Sequence, residues 1–160
     1  MVRGISFEIP QKATYTLWDI FGTVDTEPFY WYVVQEQTET WNKPFGEDFF
    51  NKEIYPGDEF SKAIQEKHFI VFLKLQAYSC VQNFQNISTY EDFKQSDCQI
   101  LVLVYDCSFA EVYAKNKVVL QAVHQRATQM RYKNLTYITD QNDARTKMDR
   151  SEERPCRERV

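Results

Sequence analysis

Glycine is scarce in this chain: there are four in 160 residues, at positions 4, 22, 46 and 57. Lacking a Cβ, glycine lets a backbone fold closely around phosphates and cofactors. Neither G-x-G-x-x-G nor G-x-x-x-x-G-K-[ST] can be assembled from these four, which disfavours dinucleotide and P-loop binding. Metal ligands are equally thin. His68 and His124 have no second ligand at i+3 or i+4, whereas a zinc site needs three or four converging groups. Both read as ordinary surface or boundary histidines. Asp140 to Arg145 opens like a calcium loop but lacks the glycine at its sixth position, and its twelfth is Ser151 instead of Glu. No metal and no cofactor are expected.

Cysteine offers no framework either. Cys80, Cys98, Cys107 and Cys156 show no C-x-x-C spacing; the first three lie in or beside apolar strands, where free cysteine packs as a small hydrophobe. Cys156 reads as an exposed thiol. Long hydrophobic runs are missing, since the longest, Ile100 to Tyr105, is far short of the ~20 residues that span a bilayer. No signal-peptide pattern precedes the first strand, so a cytoplasmic protein without membrane contact is expected. Basic charge is also short: residues 1–140 carry 13 Lys and Arg against 18 Asp and Glu, a net of -5. Nucleic-acid binding needs a basic footprint and is not expected.

Aromatics are what the chain has in excess, with 12 Phe, 10 Tyr and 3 Trp. Each buries a large apolar area, so one well-packed domain over residues 1–140 is expected, followed by a charged, disordered tail at 141–160. Ile5, Phe7 and Ile9 alternate with smaller or polar residues as a half-buried strand. Residues 11–21 carry an amphipathic helix pattern built on Leu17, Ile20 and Phe21. Residues 29–34 read as a strand, 41–53 as an irregular stretch or a short strand plus loop, and 68–78 as the longest strand. Asp58 is placed to cap a short helix after the Pro56-Gly57 turn, and Ser88 to Glu91 matches a capping box. Cys98 to Tyr105 is a strand buried on both faces, turned at Asp106 into a hairpin partner at 109–115. Residues 117–132 give the strongest helical signal and 135–139 a last strand. These elements predict an α+β fold: a mainly antiparallel sheet of about five or six strands with helices packed on one face.

Two groups of candidate residues follow. Asp106 ends a buried strand, and Asp140, Asp143 and Arg145 follow another; if the two ends met, their carboxylates could serve a small enzyme as general acid and base. Turn and surface chemistry explain the same residues without catalysis. The second group is aromatic. Tyr30 and Tyr32, Phe72 beside Lys74, and Phe109 with Tyr113 fall on the strand faces that helices would leave uncovered. Tyrosine suits interfaces because an apolar body carries a polar tip. These six are the expected partner-binding residues, for another protein or a second copy.

The segments Arg3 to Pro10, Leu17 to Ile20, Tyr30-Trp31-Tyr32, Gly57 to Phe60, Ser96 to Cys98, Glu111 to Lys115 and Tyr137 to Asp140 give the chain a resemblance. It is similar, over about residues 1–148, to a family of small uncharacterised bacterial proteins that form a domain of unknown function. The resemblance implies no activity, cofactor or catalytic residue, and Asp149 to Val160 depart from it. The expectation is a non-catalytic, protein-binding domain, immunity- or antitoxin-like in role, with a small carboxylate enzyme as the alternative.

Overall fold

The computed structural model describes residues 1–143 and 147–149. In chain order the elements are β1 (Val2–Glu8), α1 (Thr16–Phe21), β2 (Tyr30–Val33), β3 (Glu39–Trp41), β4 (Ile54–Pro56), α2 (Gly57–Ala63), β5 (Phe69–Tyr78), α3 (Tyr90–Gln95), β6 (Cys98–Tyr105), β7 (Phe109–Ala114), α4 (Lys117–Gln129) and β8 (Lys133–Thr139). The strands form one sheet in the order β4-β2-β5-β6-β7-β1-β8, with β3 added on β5. Every strand pairing is antiparallel. The fold is thus α+β and antiparallel as expected, but with eight strands where five or six were expected. The additional pieces are β3 and β4, three residues each, too short to leave a period in the sequence.

Strand alternation sorts the core into two layers. Leu73 and Leu75 of β5, Val102 of β6 and Val112 of β7 face α1, α2 and α4 in the larger cluster. Trp31 is fully buried there, stacked on Phe60 of α2 with 4.2 Å between ring centroids, and its indole N–H donates to the Thr26 carbonyl at 3.0 Å. The intervening residues, Leu101, Leu103 and Tyr113, point the other way and meet Phe93 of α3, Ile87 and Met148. Helices therefore lie on both faces, not one. The second face needs cover because β6 is apolar on both sides. Met148, within the stretch read as a disordered tail, is fully buried; residues 144–146 and 150–160, with the rest of that expectation, lie outside the described residues.

Three local expectations shift. The capping box forms one residue later: Thr89 accepts from the Asp92 N–H, and Asp92 accepts from the Thr89 N–H. Asp58 does not cap α2, whose N-cap position is Pro56 and which has no side-chain cap. His68 is fully buried, not a surface residue. Its Nε2 accepts the Leu17 N–H at 3.0 Å, and its Nδ1 lies 2.7 Å from the Glu66 carbonyl. Those partners fix the neutral tautomer with the proton on Nδ1.

Candidate functional site

On β5, Lys74 and Gln76 alternate with Leu73 and Leu75 and so face the second layer; on β7, Glu111 and Tyr113 do the same. All four are buried. Burying charge and amide groups is costly unless they are bonded, and here they are. Lys74 Nζ donates to Asp149 Oδ1 at 2.8 Å, to Asn86 Oδ1 at 3.3 Å and to the Ile87 carbonyl. Gln76 accepts the Ile87 N–H and donates to the Gln85 carbonyl. Glu111 lies 3.3 Å from Tyr105 Oη and 3.4 Å from Tyr113 Oη. Tyr113 Oη is also 3.5 Å from Asp143 Oδ2. A phenol has one proton, so it can serve only one of those carboxylates at a time. The row ends at Arg3, which pairs with Asp140 at 2.9 Å and Asp143 at 3.2 Å and lies over the Tyr90 ring.

Electrostatics there favours fixed charges. The Arg3 hydrogen bond holds the Asp140 carboxyl below its usual range. Partial burial would raise the Asp149 carboxyl, yet the Lys74 bond and charge outweigh it and hold it low. Carboxylates kept ionised in this way suit anchoring better than proton transfer near neutral pH. Burial pushes the Cys98 thiol up to about 12, so it is a packing residue and not a nucleophile.

Asp106 stands elsewhere. Asp106 and Cys107 have φ of 54° and 65°, the two left-handed positions of a tight hairpin turn, where aspartate is favoured. This turn carries Asp106, Cys107 and Ser108 to the rim of an open cleft of about 410 Å³ at one end of the sheet, walled by Trp41, Phe69 and Ile70. Tyr113, the partner of Asp143, lies near the opposite end of β7. The hairpin register separates Asp106 from the Asp140 and Asp143 pair; Arg145 lies outside the described residues.

The predicted partner-binding residues divide as well. Lys74 and Tyr113 are fully buried beneath residues 84–93 and Met148, so they present no surface to a partner. Phe72 and Phe109 are half-buried, and Phe109 stacks on Tyr105. Tyr30 and Tyr32 remain accessible. They border a shallow groove with Ile54, Tyr78, Val81 and Phe84 beside β4, the edge strand of the sheet. Exposure is 39% for Tyr30, 36% for Ile54 and 40% for Val81. Ile54, Val81 and Phe84 escape a sequence reading, because neither a three-residue strand nor the loop after β5 carries a periodic signal. Among the described residues no group of three or more His, Cys, Asp or Glu is placed to hold a metal ion, and no helix is long and apolar enough to cross a membrane.

A family model described as "Protein of unknown function (DUF2691)" matches residues 2–149. Its span ends on Asp149, the residue that pairs with Lys74. The chain is also similar to "Uncharacterized protein YncE" of Bacillus subtilis (strain 168), 29% identical over 151 residues, covering 92% of this chain and 99% of the relative. No solved structure matches.

Proposed function

The chain belongs to that DUF2691 family, and from this premise we propose that it is a non-catalytic binding domain that engages a basic, apolar segment of another protein along the β4 edge. The observation that carries this reading is the clustering of Tyr30, Ile54 and Val81, each more than a third exposed, around one groove. Single exposed apolar residues are ordinary on protein surfaces, whereas a contiguous patch marks an interaction site. Glu36 and Glu53 both act on the Tyr32 phenol, whose pKa is raised first by burial and then by these two charges. The patch is thus flanked by negative charge and complements a partner carrying Lys or Arg. An acidic domain that covers a basic surface would act as an immunity- or antitoxin-like neutraliser.

The test uses the full-length chain as bait for proteins from its own host, comparing wild type with a Tyr30→Ala, Ile54→Ala variant whose folding is checked by circular dichroism. The expected result is a basic protein recovered by wild type and weakened at least tenfold by the variant, as central aromatic and aliphatic anchors cost about 2 kcal/mol or more. Equal recovery contradicts the proposal. Recovery of the chain's own second copy assigns the edge to self-association instead.

A further inference from the structure

The open cleft and the β4 groove lie at opposite ends of β5: Phe69, which begins the strand, lines the cleft, and Tyr78, which ends it, lines the groove. The cleft's volume of about 410 Å³ is in the range of small-molecule pockets, and like them it is walled mainly by apolar groups. The segment joining β1 to α1 supplies Ile9, Pro10 and Ala13, while β3 and β5 supply Trp41, Phe69 and Ile70. Trp41 and Phe69 are paired across the two strands and stand side by side as one wall. The turn at 106–108 completes the lining and is tied down on both flanks. The Ile9 N–H donates to the Ser108 carbonyl at 2.6 Å, and the Cys107 N–H donates to the Val71 carbonyl at 3.0 Å.

One polar side chain in this lining is buried and unused. Thr16 is 4% exposed, and among the described residues its hydroxyl has no hydrogen-bond partner. Its place is fixed from both sides: the Thr14 carbonyl accepts the His68 N–H, and the Leu17 N–H donates to His68 Nε2. One position earlier a threonine hydroxyl would cap α1, but that position belongs to Tyr15, which makes no side-chain cap. Valine would fill the same space without the cost of an unsatisfied buried hydroxyl. Beside it the wall carries strain. Lys43 to Gly46 form a turn closed by a bond from the Gly46 N–H to the Lys43 carbonyl, with Pro44, a lining residue, and Phe45 in its centre. Phe45 takes φ of 57°, in the third turn position that normally goes to glycine or asparagine. Its ring is 89% exposed and leans on Trp41 with 4.9 Å between centroids. Strain of this kind clusters at binding sites.

We propose that the cleft binds a small neutral molecule, an apolar body carrying one hydroxyl or carbonyl group that pairs with Thr16. A hydroxyl donates to a carbonyl and either donates to or accepts from another hydroxyl, so both heads satisfy it. The lining disfavours charged heads. An anion meets no Lys, Arg or His among the described lining residues. Asp106, their one carboxylate, is already engaged within the chain, so a cation gains no waiting counter-charge. Gln11 and Ser108 add only uncharged polar groups. Burying a charge without a partner is far more costly than burying a hydroxyl that is paired.

The thiols supply the readout. Cys107 is exposed and lines the cleft, whereas Cys80 is exposed beyond the far end of β5. Alkylation by iodoacetamide, mapped by peptide mass spectrometry, therefore reports occupancy at one thiol with an internal control at the other. The full chain is titrated with 1-octanol, octylammonium chloride and sodium octanoate, which share an apolar chain of eight carbons. The expected result is that 1-octanol slows alkylation of Cys107 and leaves Cys80 unchanged, with a midpoint about tenfold or more below those of the two ions. Thr16→Val should raise the alcohol's midpoint about threefold to tenfold, and Thr16→Ser, which keeps the hydroxyl, should stay near wild type. Without ligand, Thr16→Val should melt no lower than wild type, because the hydroxyl serves no contact in the free protein. Several results overturn the assignment: no protection by 1-octanol, equal protection by alcohol and ions, protection of Cys80 together with Cys107, or a Thr16→Val chain that melts lower or binds the alcohol as wild type does. None of them bears on the β4 edge.

Discussion

Lys74 Nζ, fully buried in the centre of the second sheet face, donates to Asp149 Oδ1 across 2.8 Å and 75 residues of chain. The contact ties the end of the described chain to the middle of the sheet, next to the buried Met148. Removing one partner of a buried ion pair leaves the other charge uncompensated. Asp149 is partly exposed and Lys74 keeps two carbonyl acceptors, so Asp149→Ala should cost about 1–3 kcal/mol by urea denaturation. Lys74→Met in the same background should return part of that loss. An Asp149→Ala protein as stable as wild type would show that the pair does not hold the segment.

His68 sets a pH dependence of known sign. Burial lowers its pKa, and its Nε2 must stay unprotonated to accept the Leu17 N–H. The unfolded chain takes up the proton near pH ~6.5 while the folded chain resists it. Its contribution to stability is therefore complete above that pH and is lost progressively as pH falls toward the lower folded value. Urea midpoints between pH 7.5 and 5 should fall for wild type, and His68→Gln should show a shallower fall. Parallel profiles would exclude His68 as the cause.

Phe45 should prove costly to the fold. Phe45→Gly relieves the left-handed strain, worth about 1 kcal/mol, and forfeits a largely solvent-exposed ring contact of similar size. Thermal denaturation should show a midpoint unchanged or raised, in contrast to the about 3–5 kcal/mol lost on truncating a buried aromatic such as Phe60. A drop comparable to Phe60→Ala would make Phe45 a structural residue.

Asn142 closes part of the other sheet edge. Its Oδ1 accepts the Thr139 N–H at 2.7 Å and its Nδ2 donates to the Tyr137 carbonyl at 3.0 Å, so one side chain takes the place of a neighbouring strand. Exposed edges invite pairing between chains. Asn142→Ala should raise the sedimentation coefficient in a concentration-dependent way, and a monomer indistinguishable from wild type would argue that the edge is protected by other means.

Much of this arrangement was legible before the structure. The β6–β7 hairpin follows from an apolar run, a turn at Asp106 and an alternating partner; α4 follows from its period. What could not be read was which strand faces are covered. Alternation places Lys74 and Tyr113 opposite Leu73 and Val112, but whether that side meets water depends on Phe93 and Met148, 19 and 74 residues after Lys74. Met148 lies in a charge-rich stretch whose composition resembles a disordered tail, and one apolar residue makes no pattern. The same limit applies to the β4 edge: Tyr30 and Tyr32 could be chosen from strand alternation, whereas Ile54 and Val81 reach them through tertiary contacts.

The β4 edge is tested most directly by placing a photo-crosslinking phenylalanine analogue at Ile54 and, in a second chain, at Val118, an apolar residue 67% exposed on α4. Irradiation in the host cell should join the Ile54 probe to a basic protein and leave the Val118 probe unlinked. Equal labelling from both positions, or labelling from Val118 alone, would contradict an interface at the β4 edge.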